Sequence, residues 1–284
     1  MKYDKRPPSR RTLLRLTAGL GAAVTVRVIA ADPAGAPGPF AGPSPVAAPA
    51  AGPASRAAPR AVPAAYRLRP MTGQTPSRFR PAAPPVRTRP FERLPGLGRS
   101  MVLTFDDGPD PVHTPRILAL LRRYDVRAMF FVCGEMVADN PDLLRRIDGE
   151  GHVIGNHSWS HPQLWTLSRA VTRDELGRTS EVIARTIGAP PLWYRAPYGA
   201  WNRNSFEIGA ELGMEPMAWT VDSLDWKTPG TDTVVRRVLD GAGPGVVVLS
   251  HDAGGDRSQS VAALGRYLPA LLDEGYRVLV PHRS

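Results

Sequence analysis

From Met101 onward the chain alternates between short apolar runs, rich in β-branched and aromatic residues, and longer segments of helical period. Few folds accept this order, because parallel strands lying side by side need a crossover, usually a helix, between them. The strand candidates are 101–105, 126–132, 152–156, 192–194, 216–221, 245–250 and 276–280. Thr114-Pro115 opens a helix with Ile117, Leu120, Leu121 and Tyr124 on one face, and Asn140-Pro141 opens the next. Thr172 and Glu175 are spaced as a capping box for a helix that carries Leu176, Ile183 and Ile187 and is closed by Gly188. Two more helices are expected, one from Thr231 to the stop at Gly241 and one from about Ser258 to Asp273. Seven strands in about 185 residues predict an α/β fold, a small and irregular (β/α)7 barrel.

The region ahead of this domain has a different character. The chain's formal charge is +10, but residues 1–99 hold 17 Lys+Arg against 3 Asp+Glu, whereas residues 100–284 hold 19 against 23. The basicity therefore belongs to the leader and linker, and the domain itself is mildly acidic, which argues against a nucleic-acid partner. Arg10 and Arg11 precede the apolar run Leu16–Val26, in the order of a twin-arginine export signal over residues 1–36. That run is eleven residues long, short of the roughly 20 that span a bilayer. Residues 37–98 are Pro, Ala, Gly and scattered Arg, a composition expected to form a disordered stalk, and the domain is expected over 99–284. The single cysteine, Cys133, rules out an intramolecular disulfide and a thiolate zinc cluster.

Chemistry-bearing residues recur where the strands end. Asp106 and Asp107 follow the first strand, His157 the third, Arg195 the fourth, Asp222 and Asp225 the next, and His251 the run Val246–Leu249. In β/α barrels the C-terminal strand ends form one mouth, so these clusters are expected to converge. Asp-Gly-Pro after Asp106 is ordinary turn chemistry when taken alone. Two adjacent carboxylates at the end of a buried strand nevertheless ask for a cation or a proton. His157 and His161 lie four apart in HSWSHP, a polar segment that Asn156, two serines and Pro162 bias away from helix. Two neutral imidazoles with one of the aspartates suit Zn²⁺ or another divalent transition metal and leave positions for water and substrate. The other aspartate is then placed to take a proton from a water made acidic by the ion. His251 is the available acid for a leaving group, with Asp222 or Asp225 to orient it.

TFDDGP, HSWSHP, RAPYG, DSLDW and LSH, in this order, resemble the motifs of the polysaccharide deacetylase family, the NodB-homology domain of carbohydrate esterase family 4. The resemblance covers roughly Met101 to Val280 and leaves the leader and stalk outside. It implies that Asp106 is the general base and that Asp107 ligates one divalent metal with His157 and His161. Zn²⁺ is first, with Co²⁺, Ni²⁺ or Fe²⁺ as alternatives. It implies that Arg195 pairs with Asp106, holding it ionised and oriented, and that the Tyr198 main-chain N–H helps to stabilise the oxyanion. Asp225 would tune His251, the general acid, while Trp226 and Leu249, with Pro197 and Tyr198 from RAPYG, line the substrate pocket. Met129 and Cys133 stand where the family often has threonines, and neither carries a role.

The activity implied is metal-dependent hydrolysis of N-acetyl groups on an envelope polysaccharide, first peptidoglycan N-acetylglucosamine, then chitin oligomers. An O-acetyl esterase acting on xylan would use the same machinery. The polymer is the expected partner and a monomer the expected state, exported to the wall or beyond with no lasting membrane span. A non-heme iron oxygenase also uses two histidines and a carboxylate, but it calls for an all-β scaffold and leaves His251 idle. A non-catalytic wall-binding protein of the same fold is opposed by the intact base, ligands and acid.

Overall fold

The computed structural model describes residues 83–96 and 98–281. The signal region expected over 1–36 and the linker up to residue 82 lie outside the described residues. Eight strands form one parallel sheet: β1 (Ser100–Asp106), β2 (Met129–Val132), β3 (Val153–Asn156), β4 (Trp193–Tyr194), β5 (Glu215–Pro216), β6 (Val221–Asp222), β7 (Val247–His251) and β8 (Arg277–Val278). Their order is β5-β4-β3-β2-β1-β7-β6, and β8 pairs with the first residues of β1. The helices are α1 (Thr114–Arg123), α2 (Gly134–Asp139), α3 (Pro141–Gly149), α4 (Arg169–Ile187), α5 (Arg203–Glu211), α6 (Thr231–Asp240) and α7 (Ser258–Asp273).

Side chains alternate along β1, which is buried at every residue. Met101, Leu103 and Phe105 face a layer built from α1, α3, α4, α6 and α7, through Ile117, Leu144, Ile183, Val234 and Leu264. Val102 faces the other way, into an interior cluster with Met129, Phe131, Trp193, Met217 and Val247. Thr104 and Asp106 share that inner face, so the last inward residue of the central strand is a carboxylate.

The expected strand 216–221 is two strands, β5 and β6, which sit on opposite edges of the sheet. Only Met217–Thr220 join them. A four-residue link reaches about 14–18 Å at most, so the sheet must curl until its edges nearly meet. The result is a half-barrel with a seam, and the last stretch of the expected linker fills it. Phe91 bridges to Met217 and Arg93 to Val246, and the Leu94 N–H donates to Gly245 O at 2.9 Å. Arg87 donates from Nε and Nη2 to Glu215, both at 2.9 Å. The boundary expected at residue 98 therefore falls inside the folded region, because the stretch around Phe91 and Leu94 packs on the interior cluster.

Two helices escape sequence patterning. α2 has only six residues, too few to show a period, and α5 is capped by Asn202 with Ser205 rather than by a Ser/Thr–Glu pair. The capping box expected at Thr172 and Glu175 does not form. Helix α4 is capped four residues earlier, where Ser168 accepts from the Val171 N–H, and this frees Glu175 for another contact. Gly188 closes α4 as expected, at φ 80°. Among the described residues no helix is long and apolar enough to cross a membrane.

Candidate active site and metal centre

The register of the sheet brings the strand-end clusters together. Asp106 stands beside Phe131 of β2 on one side and His251 of β7 on the other. The His157 N–H continues the ladder to Val132 O, and the Arg195 N–H continues it to Asn156 O, both at 2.9 Å. Asp106 and Asp107 then part company. Asp106 ends the strand facing inward, while Asp107 takes φ 77° and turns away. That turn needs room, since a Cβ on Gly254 would sit 2.4 Å from Asp107 Oδ2.

Arg195 is fully buried, and its Nη1 donates to Asp106 Oδ1 at 2.7 Å and to Thr104 Oγ1 at 2.8 Å. Burial pushes the Asp106 carboxyl above its ordinary range, against the opposing pull of Arg195. The expected pairing is therefore present, and the Arg195 charge opposes the effect of burial. The outcome is a more basic carboxylate than a surface aspartate.

Asp107, His157 and His161 place one ligand atom each within 4.8 Å of one another. His157 Nδ1–H donates to the Arg195 carbonyl at 2.9 Å, which leaves the Nε2 lone pair facing Asp107 Oδ1 at 3.6 Å. His161 Nε2 lies 3.1 Å from the same oxygen. Burial and the nearby His161 lower the His157 pKa to about 3, so this imidazole is neutral, as a ligand must be. Asp107 Oδ1 is buried and accepts no hydrogen bond. An orphaned carboxylate oxygen against two imidazole nitrogens fits a divalent cation.

The turn that carries both histidines is held by α4. Glu175 Oε2 accepts from the Trp159 N–H at 2.8 Å and the Ser160 N–H at 2.9 Å, and Oε1 accepts from Ser160 Oγ at 2.9 Å. Arg178 stacks on the Trp159 ring at 4.0 Å. These contacts support left-handed backbone at Ser158 (φ 65°) and His161 (φ 59°), confirming a non-helical segment.

On the other side of β1, His251 Nδ1–H donates to Asp225 Oδ1 at 2.7 Å. Asp225 Oδ2 accepts from the His251 N–H at 2.9 Å and from Ser260 Oγ at 2.6 Å. Burial opposes a charged His251, but the Asp225 bond and charge, with Asp106 and Asp107 nearby, outweigh it and raise the pKa to about 9. Asp222, the other candidate, instead accepts the Leu224 N–H at 2.8 Å and shapes the turn.

The remaining expected residues take varied positions. Pro197 is buried, and Tyr198 is 62% exposed with φ 61° and its ring 4.6 Å from that of His161. Trp226 is exposed beside Asp225, whereas Leu249 is 4% exposed and lies beneath His251 on the inner face. Residue spacing passed over Thr104, Glu175, Ser260 and the buried pair Thr114–Asp252, in which Thr114 Oγ1 donates to Asp252 Oδ2. Burial raises the Asp252 pKa to about 7, and its carboxyl occupies the space a Cβ on Gly108 would need.

Two histidines and a carboxylate around one point, next to an aspartate whose pKa is raised and a histidine whose pKa is raised, are equipped for hydrolysis. The polysaccharide deacetylase family model matches residues 95–217. A peptidoglycan-N-acetylglucosamine deacetylase of Bacillus cereus is 40% identical over 178 residues, a match spanning 62% of this chain and 65% of the relative, just under two thirds of its length. A chitooligosaccharide deacetylase of Rhizobium leguminosarum bv. trifolii is 37% identical over 198 residues, 66% of this chain and 92% of the relative. A solved peptidoglycan N-acetylglucosamine deacetylase, in complex with 4-naphthalen-1-yl-N-oxidanyl-benzamide, aligns with TM-score 0.64 at 38% identity, over 66% of this chain and 88% of that one. The chain belongs to the polysaccharide deacetylase family, carbohydrate esterase family 4.

Glu175 touches no ligand atom yet fixes the turn between the two histidines. Glu175→Ala is expected to weaken metal binding about 10–100-fold in a chelator-competition titration. Unchanged affinity would show that the turn keeps its geometry without α4.

Proposed function

We propose that this protein hydrolyses N-acetyl groups on a cell-envelope polysaccharide, peptidoglycan N-acetylglucosamine first, releasing acetate and a free amine. The observation that carries this reading is the pairing of Asp106 with His251 across adjacent strands, a buried basic carboxylate beside a histidine held protonated. A divalent ion on Asp107, His157 and His161, zinc for this donor set with cobalt, nickel or iron as alternatives, supplies Lewis acidity and lets water act as a nucleophile near neutral pH.

Asp106 takes the proton of the attacking water, and Arg195 fixes the carboxylate so that Oδ2 is the oxygen directed at the mouth. His251 gives its proton to the amide nitrogen as the C–N bond breaks, so the products are acetate and the amine. Asp225 holds Nδ1–H and thereby presents Nε2–H to the leaving group. The Tyr198 main-chain N–H supports the developing oxyanion. Trp226, Leu249, Pro197 and Tyr198 wall a small acetyl pocket. Chitooligosaccharides are a second substrate class, favoured by the 92% coverage of the rhizobial relative. An acetylxylan esterase would use the same groups on an alcohol leaving group.

Acetate release from peptidoglycan, chitin oligomers and acetylxylan, assayed side by side, separates these readings. Peptidoglycan is expected to respond first, and activity on acetylxylan alone overturns the amide reading. Asp106→Asn is expected to lower kcat about 10²–10⁴-fold with metal content unchanged.

The acid also predicts a pH profile. His251 is protonated folded or unfolded below its ordinary value of roughly 6.5, and the fold keeps that proton up to about pH 9. Activity and the stability from the Asp225–His251 pair are therefore both expected to fall as pH rises through about 9. Asp225→Asn removes the charge that raises this pKa, so the alkaline limb of kcat should move to lower pH; a limb that stays in place rules out His251 as the acid.

We also place the protein outside the cytoplasm, delivered already folded by the twin-arginine route through Arg10 and Arg11. Lysine at both arginines is expected to retain the protein inside the cell in a fractionation experiment, and undiminished export would exclude that route.

A further inference from the structure

The segment directly after His161, Pro162–Ser168, reads PQLWTLS and contains no charged residue. It is pinned from below. Leu164 is buried in a cluster with Leu176, Tyr194 and Ile208, and its carbonyl accepts from Asn202 Nδ2 at 3.3 Å. Thr166 Oγ1 donates back to Gln163 O at 2.8 Å, closing the short 3₁₀ turn Leu164–Thr166. On this fixed turn Trp165 leaves 61% of its surface in water. Its indole N–H donates to Gln163 Oε1 at 3.1 Å, which holds the ring in one orientation. An exposed indole held on a hydrogen-bonded turn presents a large amphipathic face that is available to a ligand.

Its position follows from the sheet order. Of the six large apolar residues exposed among the described residues, the three aromatics are Trp165, Tyr198 and Trp226. They stand in the loops after β3, β4 and β6, all at the C-terminal mouth. Along the order β4-β3-β2-β1-β7-β6, Tyr198 and Trp165 fall to one side of the central Asp106 and Trp226 falls to the other. A polymer crossing the mouth past Asp106 and His251 extends beyond the acetyl pocket, and Trp165 lies on the His161 side of that path. A neutral pyranose ring offers a face of C–H bonds, which suits an indole in an uncharged surround.

We propose that Trp165 is a sugar-stacking platform that binds a ring of the polysaccharide at least one unit away from the reacting N-acetyl sugar, on the β3–β4 side of the mouth. This rests on the deacetylase reading above and gives the enzyme a preference for chains over short oligomers. The platform acts on binding, so its contribution falls on KM and grows with chain length, while kcat is governed by the groups around Asp106.

The test is acetate release from N-acetylglucosamine oligomers of two to six units by wild type, Trp165→Ala and Trp165→Phe. The ratio of kcat/KM on the hexamer to that on the dimer is expected to fall about 3–10-fold in Trp165→Ala, through KM, and to be largely kept in Trp165→Phe. A ratio unchanged by Trp165→Ala overturns the proposal, as does an equal loss at every length. If wild type releases acetate from no oligomer, the deacetylase reading is judged on peptidoglycan and fails only if no acetate is released there either. Calorimetric binding of the hexamer then decides the platform: weaker binding to Trp165→Ala than to wild type supports it, and equal binding overturns it.

Discussion

The fully buried guanidinium of Arg195 is the constraint on which both the barrel and its mouth depend. Nη1 holds Thr104 and Asp106 of the central strand. Nε and Nη2 donate to the carbonyls of Met217 and Ala218 at 3.0 and 2.8 Å, in the seam between the two sheet edges. Its plane lies over the Phe131 ring at 4.1 Å. A charge taken out of water costs several kcal/mol, which the Asp106 pair and these bonds offset rather than exceed. Arg195 is therefore less a source of stability than a device of geometry. It closes the place where the sheet lacks a strand, and with the same atoms it aims the carboxylate that faces the mouth.

The two histidines on either side of β1 show how one mouth supports opposite protonation states. His157 is buried beside His161 and Arg195, and its pKa falls to about 3. His251 is also buried, but Asp225 lies 2.7 Å from Nδ1, and its pKa rises to about 9. Desolvation acts in the same direction on both; His251 gains the Asp225 hydrogen bond and charge, whereas His157 bonds a neutral carbonyl and lies beside His161. Sites that combine a metal ligand with a proton donor need this separation, since a ligand must be neutral and a donor must not be.

Backbone strain is concentrated at the same place. Among the described residues seven non-glycine residues have positive φ, and six of them, Asp107, Ser158, His161, Tyr198, Leu224 and Thr228, lie in the loops that build the mouth. Each costs of the order of 1–2 kcal/mol and persists only where neighbours over-determine it. Those neighbours are visible: Glu175 under the histidine turn, Asp222 under Leu224, and the open space at Gly254 beside Asp107. The barrel supplies rigid strand ends, and the loops use that rigidity to present side chains in directions a regular strand does not offer.

Much of this was legible from residue order, because strand and helix periods are local and because strand ends in a β/α fold converge whatever the loops do. The positions of Asp106, Asp107, His157, His161, Arg195, Asp225 and His251 at one mouth follow from that reasoning alone. Other features depend on contacts between distant parts of the chain. Glu175 reads as a helix cap but reaches 16 residues back to Trp159. Thr114 meets Asp252 across 138 residues, and Phe91 enters the seam from a stretch whose composition suggests a linker. Spacing left Asp222 against Asp225 and Asp106 against Asp107 open; the family resemblance assigned their roles, and the structure adds the direction in which each side chain leaves the backbone. Spacing cannot state that direction, because it is set by the register of β1 against β7 and by the left-handed turn at Asp107.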